Sequence, residues 1–217
     1  MINEINNNDM GDKILTAIAR FFSATFSPLL MPGYGVLVAL WASVLCYLPS
    51  GTRLVVLMVV MGITGILPMM LIAVLYNTKA INDKRLIKRR ERHIPYVFSV
   101  LCYVATAFYL STVHAPVWLI AYMGGCAVAS AVCMITNIKW KISAHLAGMA
   151  GLLALVLYLH SQGLGAFNLF PLVCFNILLC GLIGTSRLIL ERNTFWQVLA
   201  GAVAGFVIIG ASMNLFG

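Results

Sequence analysis

Long apolar runs alternate with short polar segments along this chain, and the pattern predicts a bundle of membrane-spanning helices. Seven runs stand out: about Leu29–Leu48, Leu54–Leu75, Ile94–Leu110, Val117–Ile135, Ser143–His160, Phe167–Thr185 and Phe195–Leu215. About 20 apolar residues suffice to cross a ~30 Å hydrocarbon core as a helix. The runs are continuous and lack period-2 alternation, which predicts helices rather than barrel strands. The fifth is the shortest and carries His145 and His160 near its ends. Its small residues Ala144, Ala147, Gly148, Ala150, Gly151 and Ala154 suit close helix contact, as do Gly201 and Gly205 in the last run.

Ahead of the first run, Met1 to Asp12 is polar and Asn-rich, without the cationic start and short apolar core of a cleavable signal. It is expected to be a disordered cytosolic tail. Lys13 to Ser27 mixes apolar and polar positions and is expected to lie in the interface as an amphipathic helix. Pro28 and Pro32 punctuate the entry to the first span. The domain division is therefore 1–27, tail and interfacial helix, and 28–217, one transmembrane domain. The expected fold class is all-α, a polytopic bundle of six to seven spans.

Composition removes the soluble alternative. The 217 residues are 62% hydrophobic and 9% charged, where a soluble domain carries about 25% charged residues. Mean hydropathy is +0.98. Net charge is +8, and the cations flank spans. Anionic headgroups or phosphate ligands are the expected partners, not nucleic acid. Six cysteines, Cys46, Cys102, Cys126, Cys133, Cys174 and Cys180, all fall in apolar runs and read as small core hydrophobes.

Seven crossings put the N-terminus and the 76–93, 136–142 and 186–194 loops on one side. Of the 14 Lys and Arg, only Arg53 falls on the other. The positive-inside rule places the charged side in the cytoplasm, with the C-terminus opposite.

Three segments on that side carry candidate chemistry. In Asp83 to Pro95, a helix would align Arg85, Lys88, Arg89 and Arg92 as one cationic stripe. In Lys139-Trp-Lys-Ile-Ser-Ala-His145, Ser143 suits a helix N-cap, and the free N–H groups behind it suit an anion. In Gly184 to Gln197, Ser186, Asn193 and Gln197 would share a helical face, with Arg187 beside a small-residue turn. Each segment alone reads as a loop with interfacial anchors, Trp140 among them. Even numbers of crossings separate them, so they meet on one side. Guanidinium groups, a helix N-terminus and a histidine together suit a phosphate.

From about Leu54 to Gly205 these segments resemble the three signatures of the type 2 phosphatidic acid phosphatase superfamily: K-x6-R-P, P-S-G-H and S-R-x5-H-x3-D. The counterparts are Arg85-x6-Arg92 with Pro95 displaced, Ile142-Ser143-Ala144-His145, and Ser186-Arg187-x5-Asn193-x3-Gln197. The chain also resembles a small membrane-embedded branch, with Ser-Pro-Leu-Leu-Met-Pro-Gly-Tyr-Gly at the first span. The resemblance implies that Arg85, Arg92, Ser143, Ser186 and Arg187 hold the phosphate and that His145 protonates the leaving alkoxide. It implies a histidine nucleophile at 193, an orienting carboxylate at 197, and no metal or cofactor. The substrate class implied is a phosphorylated lipid, such as phosphatidic acid, phosphatidylglycerol phosphate, a polyprenyl phosphate or a lipid A phosphate. The setting implied is a bacterial inner membrane.

The sequence departs from the pattern at the reacting atom. Asn193 stands at the nucleophile position, and a carboxamide nitrogen is not basic. Gln197 stands at the carboxylate position and still accepts a hydrogen bond. Three readings follow: a phospholipid-binding pseudo-enzyme, an enzyme inactivated by substitution, or an enzyme using another nucleophile such as His93 or His145. A non-catalytic scaffold and a small transporter are the readings of other classes.

Overall fold

A spanning helix satisfies every backbone group within itself, so apolar runs of this length fold as helices wherever no proline or competing partner intervenes. The computed structural model describes residues 2–78 and 93–217. The charged segment 79–92, with Arg85 and Arg92, lies outside the described residues. Eight helices follow in chain order: α1 Ile2–Thr25, α2 Met31–Ala42, α3 Ser50–Asn77, α4 His93–Thr112, α5 Val117–Lys139, α6 Ala144–Ser161, α7 Phe170–Ile189 and α8 Phe195–Phe216. Six of them, α3 to α8, are long and apolar enough to cross a membrane. The chain is a multi-span helical membrane protein.

The ends differ from the sequence expectation in two places. The Asn-rich start is helical from Ile2 rather than disordered. No proline interrupts the chain before Pro28, and an anchored helix propagates at the gain of one hydrogen bond per residue. The first apolar run makes a 12-residue helix instead of a full span, about 18 Å at the α-helical rise. Its end is set by a competing partner. Ser43 turns extended and forms an antiparallel bridge with Gly165. Val44 N–H donates to Leu164 O and Ala166 N–H to Ala42 O, and Val44–Tyr47 closes as a 3₁₀ turn.

α3 contains a π-helical turn at Gly62–Ile66, immediately before Leu67 and Pro68. Proline lacks an N–H and crowds the preceding turn. A wider turn, closed by Leu67 N–H to Gly62 O, accommodates it without breaking the helix.

The centre of the bundle is α5, α6 and α8. The small residues foreseen in α6 and α8 are what bring these helices together. A Cβ at Gly201 would strike the Ser143 carbonyl, and one at Gly205 the Ala147 carbonyl. Gly151 likewise admits the Ile209 side chain. α4 packs on α5, α7 on α6, and α1 on α7. All six cysteines are free; Cys102, Cys126 and Cys133 are buried, while Cys174 is exposed on α7.

Three helices end in the same Schellman turn. Its left-handed residue is Gly163 after α6, but His114 after α4 and Glu191 after α7. In each, two N–H groups return to the last turn, as Arg192 to Arg187 O and Glu191 to Leu188 O. The third of these turns shapes the site.

Candidate functional site

Helix ends leave backbone groups unpaired, and the chain uses them to hold one end of the bundle together. Ser143 occupies the N-cap position of α6 without a side-chain cap bond, and its N–H donates to Gln197 O in the first turn of α8 (3.1 Å). Lys141 Nζ donates to Arg192 O. The Schellman turn after α7 folds residues 191–193 back over Arg187. The 139–145 and 187–197 segments therefore meet at one end of the bundle.

Arg187 is the centre of the arrangement. It is 9% exposed, and Asn193 is 8% exposed. Asn193 Oδ1 accepts from both Arg187 Nε (3.2 Å) and Nη2 (3.1 Å). Asn193 Nδ2 donates to Gln197 Oε1 (3.3 Å), which also accepts the Thr194 N–H (3.2 Å). A chain of hydrogen bonds thus runs from the start of α8 to the guanidinium. A buried charged group without partners is costly, and here the Asn193 amide supplies an acceptor for two of the guanidinium donors.

The far edge of Arg187 meets α1. Arg187 Nη1 donates to Ser23 Oγ (2.9 Å). His145 Nε2 lies 3.1 Å from Ser23 O and 3.4 Å from Ser23 Oγ. The carbonyl has lone pairs only, so Nε2 carries the proton in the contact with it.

These groups open onto a cavity of about 710 Å³. At its mouth are Arg20, His145, Arg187, Arg192 and Asn193, and its inner wall includes Tyr122, Cys126 and Ile209. Ile209 lies 14 residues into α8, about 20 Å from its start at the α-helical rise. The cavity is therefore charged at one end and lined by the membrane core at the other. Glu191 also faces the mouth. Among the described residues, no three His, Cys, Asp or Glu side chains gather as metal ligands would.

Several expected site residues sit otherwise than the motif pattern implies. Ser143 is 1% exposed, yet its hydroxyl has no partner and does not line the cavity. It faces Gly201 of α8. Ser186 donates to Leu182 O in its own helix and is also absent from the cavity wall. Ser186, Asn193 and Gln197 do not share a helical face: α7 ends at Ile189 and α8 begins at Phe195, so they occupy a helix, a turn and a second helix. Phase counting assumed one helix, but the Schellman turn reverses the chain. His145, Arg187, Asn193 and Gln197 are brought together. Arg85 and Arg92 fall in the segment outside the described residues.

Ser23 and Arg20 escaped the sequence reading. The available signal was a polar stripe, Thr16, Arg20, Ser23 and Ser27, at i, i+4, i+7 and i+11 in the mainly apolar segment 14–27. Compared with known proteins, the chain matches no family model, no curated protein and no solved structure.

Proposed function

We propose that this membrane protein binds a phosphorylated lipid, with its phosphate at the Arg187–His145 end and its hydrocarbon in the cavity. The observation that carries this is one cavity with Arg20, Arg187, Arg192 and His145 at its mouth and apolar walls deep in the bundle. Guanidinium groups suit phosphate oxygens in number and geometry. An apolar cavity within spanning helices suits an acyl or prenyl chain. The partial signature S-R-x5-N-x3-Q supports a phosphatase-like site of the type 2 phosphatidic acid phosphatase kind. Candidate ligands are phosphatidic acid, phosphatidylglycerol phosphate and polyprenyl phosphates.

Asn193 favours binding over turnover. Its nitrogen is an amide without basicity, and its oxygen is held by Arg187. No group at that position accepts a phosphoryl group, which supports holding the phosphate over hydrolysis through residue 193. The proposed setting is a bacterial inner membrane, with the Arg187 end in the cytoplasm by charge balance.

The test compares the chain with Asn193→His and Arg187→Leu. The chain in detergent binds phosphatidic acid and orthovanadate, Arg187→Leu does not, and Asn193→His releases inorganic phosphate. If the chain and Asn193→His neither bind vanadate nor release phosphate, the phosphatase-like reading fails.

A further inference from the structure

The face of α1 that carries Thr16, Arg20 and Ser23 lines the cavity, as does Ser27 just past its end. Its other side exposes Ile14, Leu15, Ile18 and Phe21, the surface that an interfacial helix buries among acyl chains. α1 packs on α7. It is thus a wall of the site held against α7.

The contacts of α1 with the site fall on the groups that suit a phosphate. Arg187 Nη1 donates to Ser23 Oγ, and His145 Nε2 faces Ser23 O. Ser23 presents two oxygens to two nitrogen donors, as a phosphoryl group would. Its carbonyl is one of the last four of α1, which have no helical N–H partner. His145 supplies that partner, so the same contact that ends the helix also occupies the histidine. Arg20, one turn earlier on the same face, lines the mouth and is exposed.

We infer that α1 is a wall of the anion site, and that Ser23 is the group an incoming phosphoryl oxygen replaces. Binding exchanges the Ser23 contacts of Arg187 and His145 for phosphate contacts. Ser23 then competes with the ligand, while Arg20 contributes charge to it. The inference rests on the phosphate-binding reading and predicts effects of opposite sign from two residues one turn apart. Simple loosening of α1 would move both in one direction.

The experiment measures binding of phosphatidic acid in phosphatidylcholine nanodiscs to the full chain and to four variants. Ser23→Ala is expected to bind about tenfold tighter, the scale of one hydrogen bond to a charged group. Ser23→Thr, which keeps the hydroxyl, is expected to match the unaltered chain. Arg20→Gln is expected to bind several-fold weaker. Arg187→Leu is the control without a site. Backbone hydrogen exchange gives a second readout: the ligand should raise exchange in residues 23–26. Unchanged or weaker binding by Ser23→Ala, or ligand-induced protection of residues 23–26, overturns the replacement of Ser23. Unchanged binding by Arg20→Gln overturns the role of α1 as a wall. If the unaltered chain binds no better than Arg187→Leu, the phosphate-binding reading itself has failed.

Discussion

Asn193 accepts two hydrogen bonds from Arg187 on a single amide oxygen, at 3.2 and 3.1 Å. Residues six apart reach each other because α7 stops at Ile189 and the turn at Glu191 reverses the chain. The amide gives two of the guanidinium donors an acceptor where Arg187 is buried beside the cavity.

That relationship makes Asn193 structural as well as local to the site. Asn193→Leu is expected to leave Arg187 without the acceptor of two donors, costing about 1–3 kcal/mol. Thermal unfolding in detergent should show a clear fall in midpoint. Asn193→Asp, which keeps the acceptor and adds a charge partner, should not show that fall.

The α6–α8 contact gives a prediction about packing. A Cβ at Gly205 has the Ala147 carbonyl in its way, whereas one at Gly210 meets Ala154 Cβ at 3.7 Å, an ordinary contact. Gly205→Ala is expected to cost about 1–3 kcal/mol by overpacking, and Gly210→Ala less than ~1 kcal/mol. Detergent-resistant thermal midpoints of the two variants distinguish them.

Glu191 has φ 51° and His114 φ 55°, a region where a side chain is strained and glycine is not. Glu191→Gly and His114→Gly should each raise stability by up to about 1 kcal/mol. Glu191→Val should lower it, because a β-branched side chain fits this region worst. Chemical unfolding of the three variants reads the order.

Ser143 separates the motif pattern from the geometry. Its hydroxyl is buried, lacks a partner and faces α8, not the cavity. Ser143→Ala should therefore leave affinity for phosphatidic acid unchanged and stability equal or slightly higher, since an unsatisfied hydroxyl is costly. Weaker lipid binding by this variant would restore the role implied by the resemblance.

The proposed sidedness rests on the charge balance of the loops. In a cysteine-free background, His114→Cys and Gln162→Cys should react with a membrane-impermeant maleimide added to intact cells. Glu191→Cys should react only after the membrane is opened. The reverse pattern would place the Arg187 end outside.

Sequence alone determined the class of this protein. Apolar runs of spanning length admit only helices in lipid, so α3 to α8 were legible with their ends nearly in place. Gly201 and Gly205 announced close helix contact by their size alone. The spacing of charge and crossings brought His145 and Arg187 to the same end. Tertiary structure decided what local pattern could not. The first apolar run stops at Ala42 because Ser43 pairs with Gly165, more than a hundred residues away. Ser143 and Ser186 match a motif by spacing, yet helix rotation turns them to a neighbouring helix and to their own backbone. The place of Ser23 depends on how α1 settles against α7, and so on contacts across the fold that no periodicity encodes.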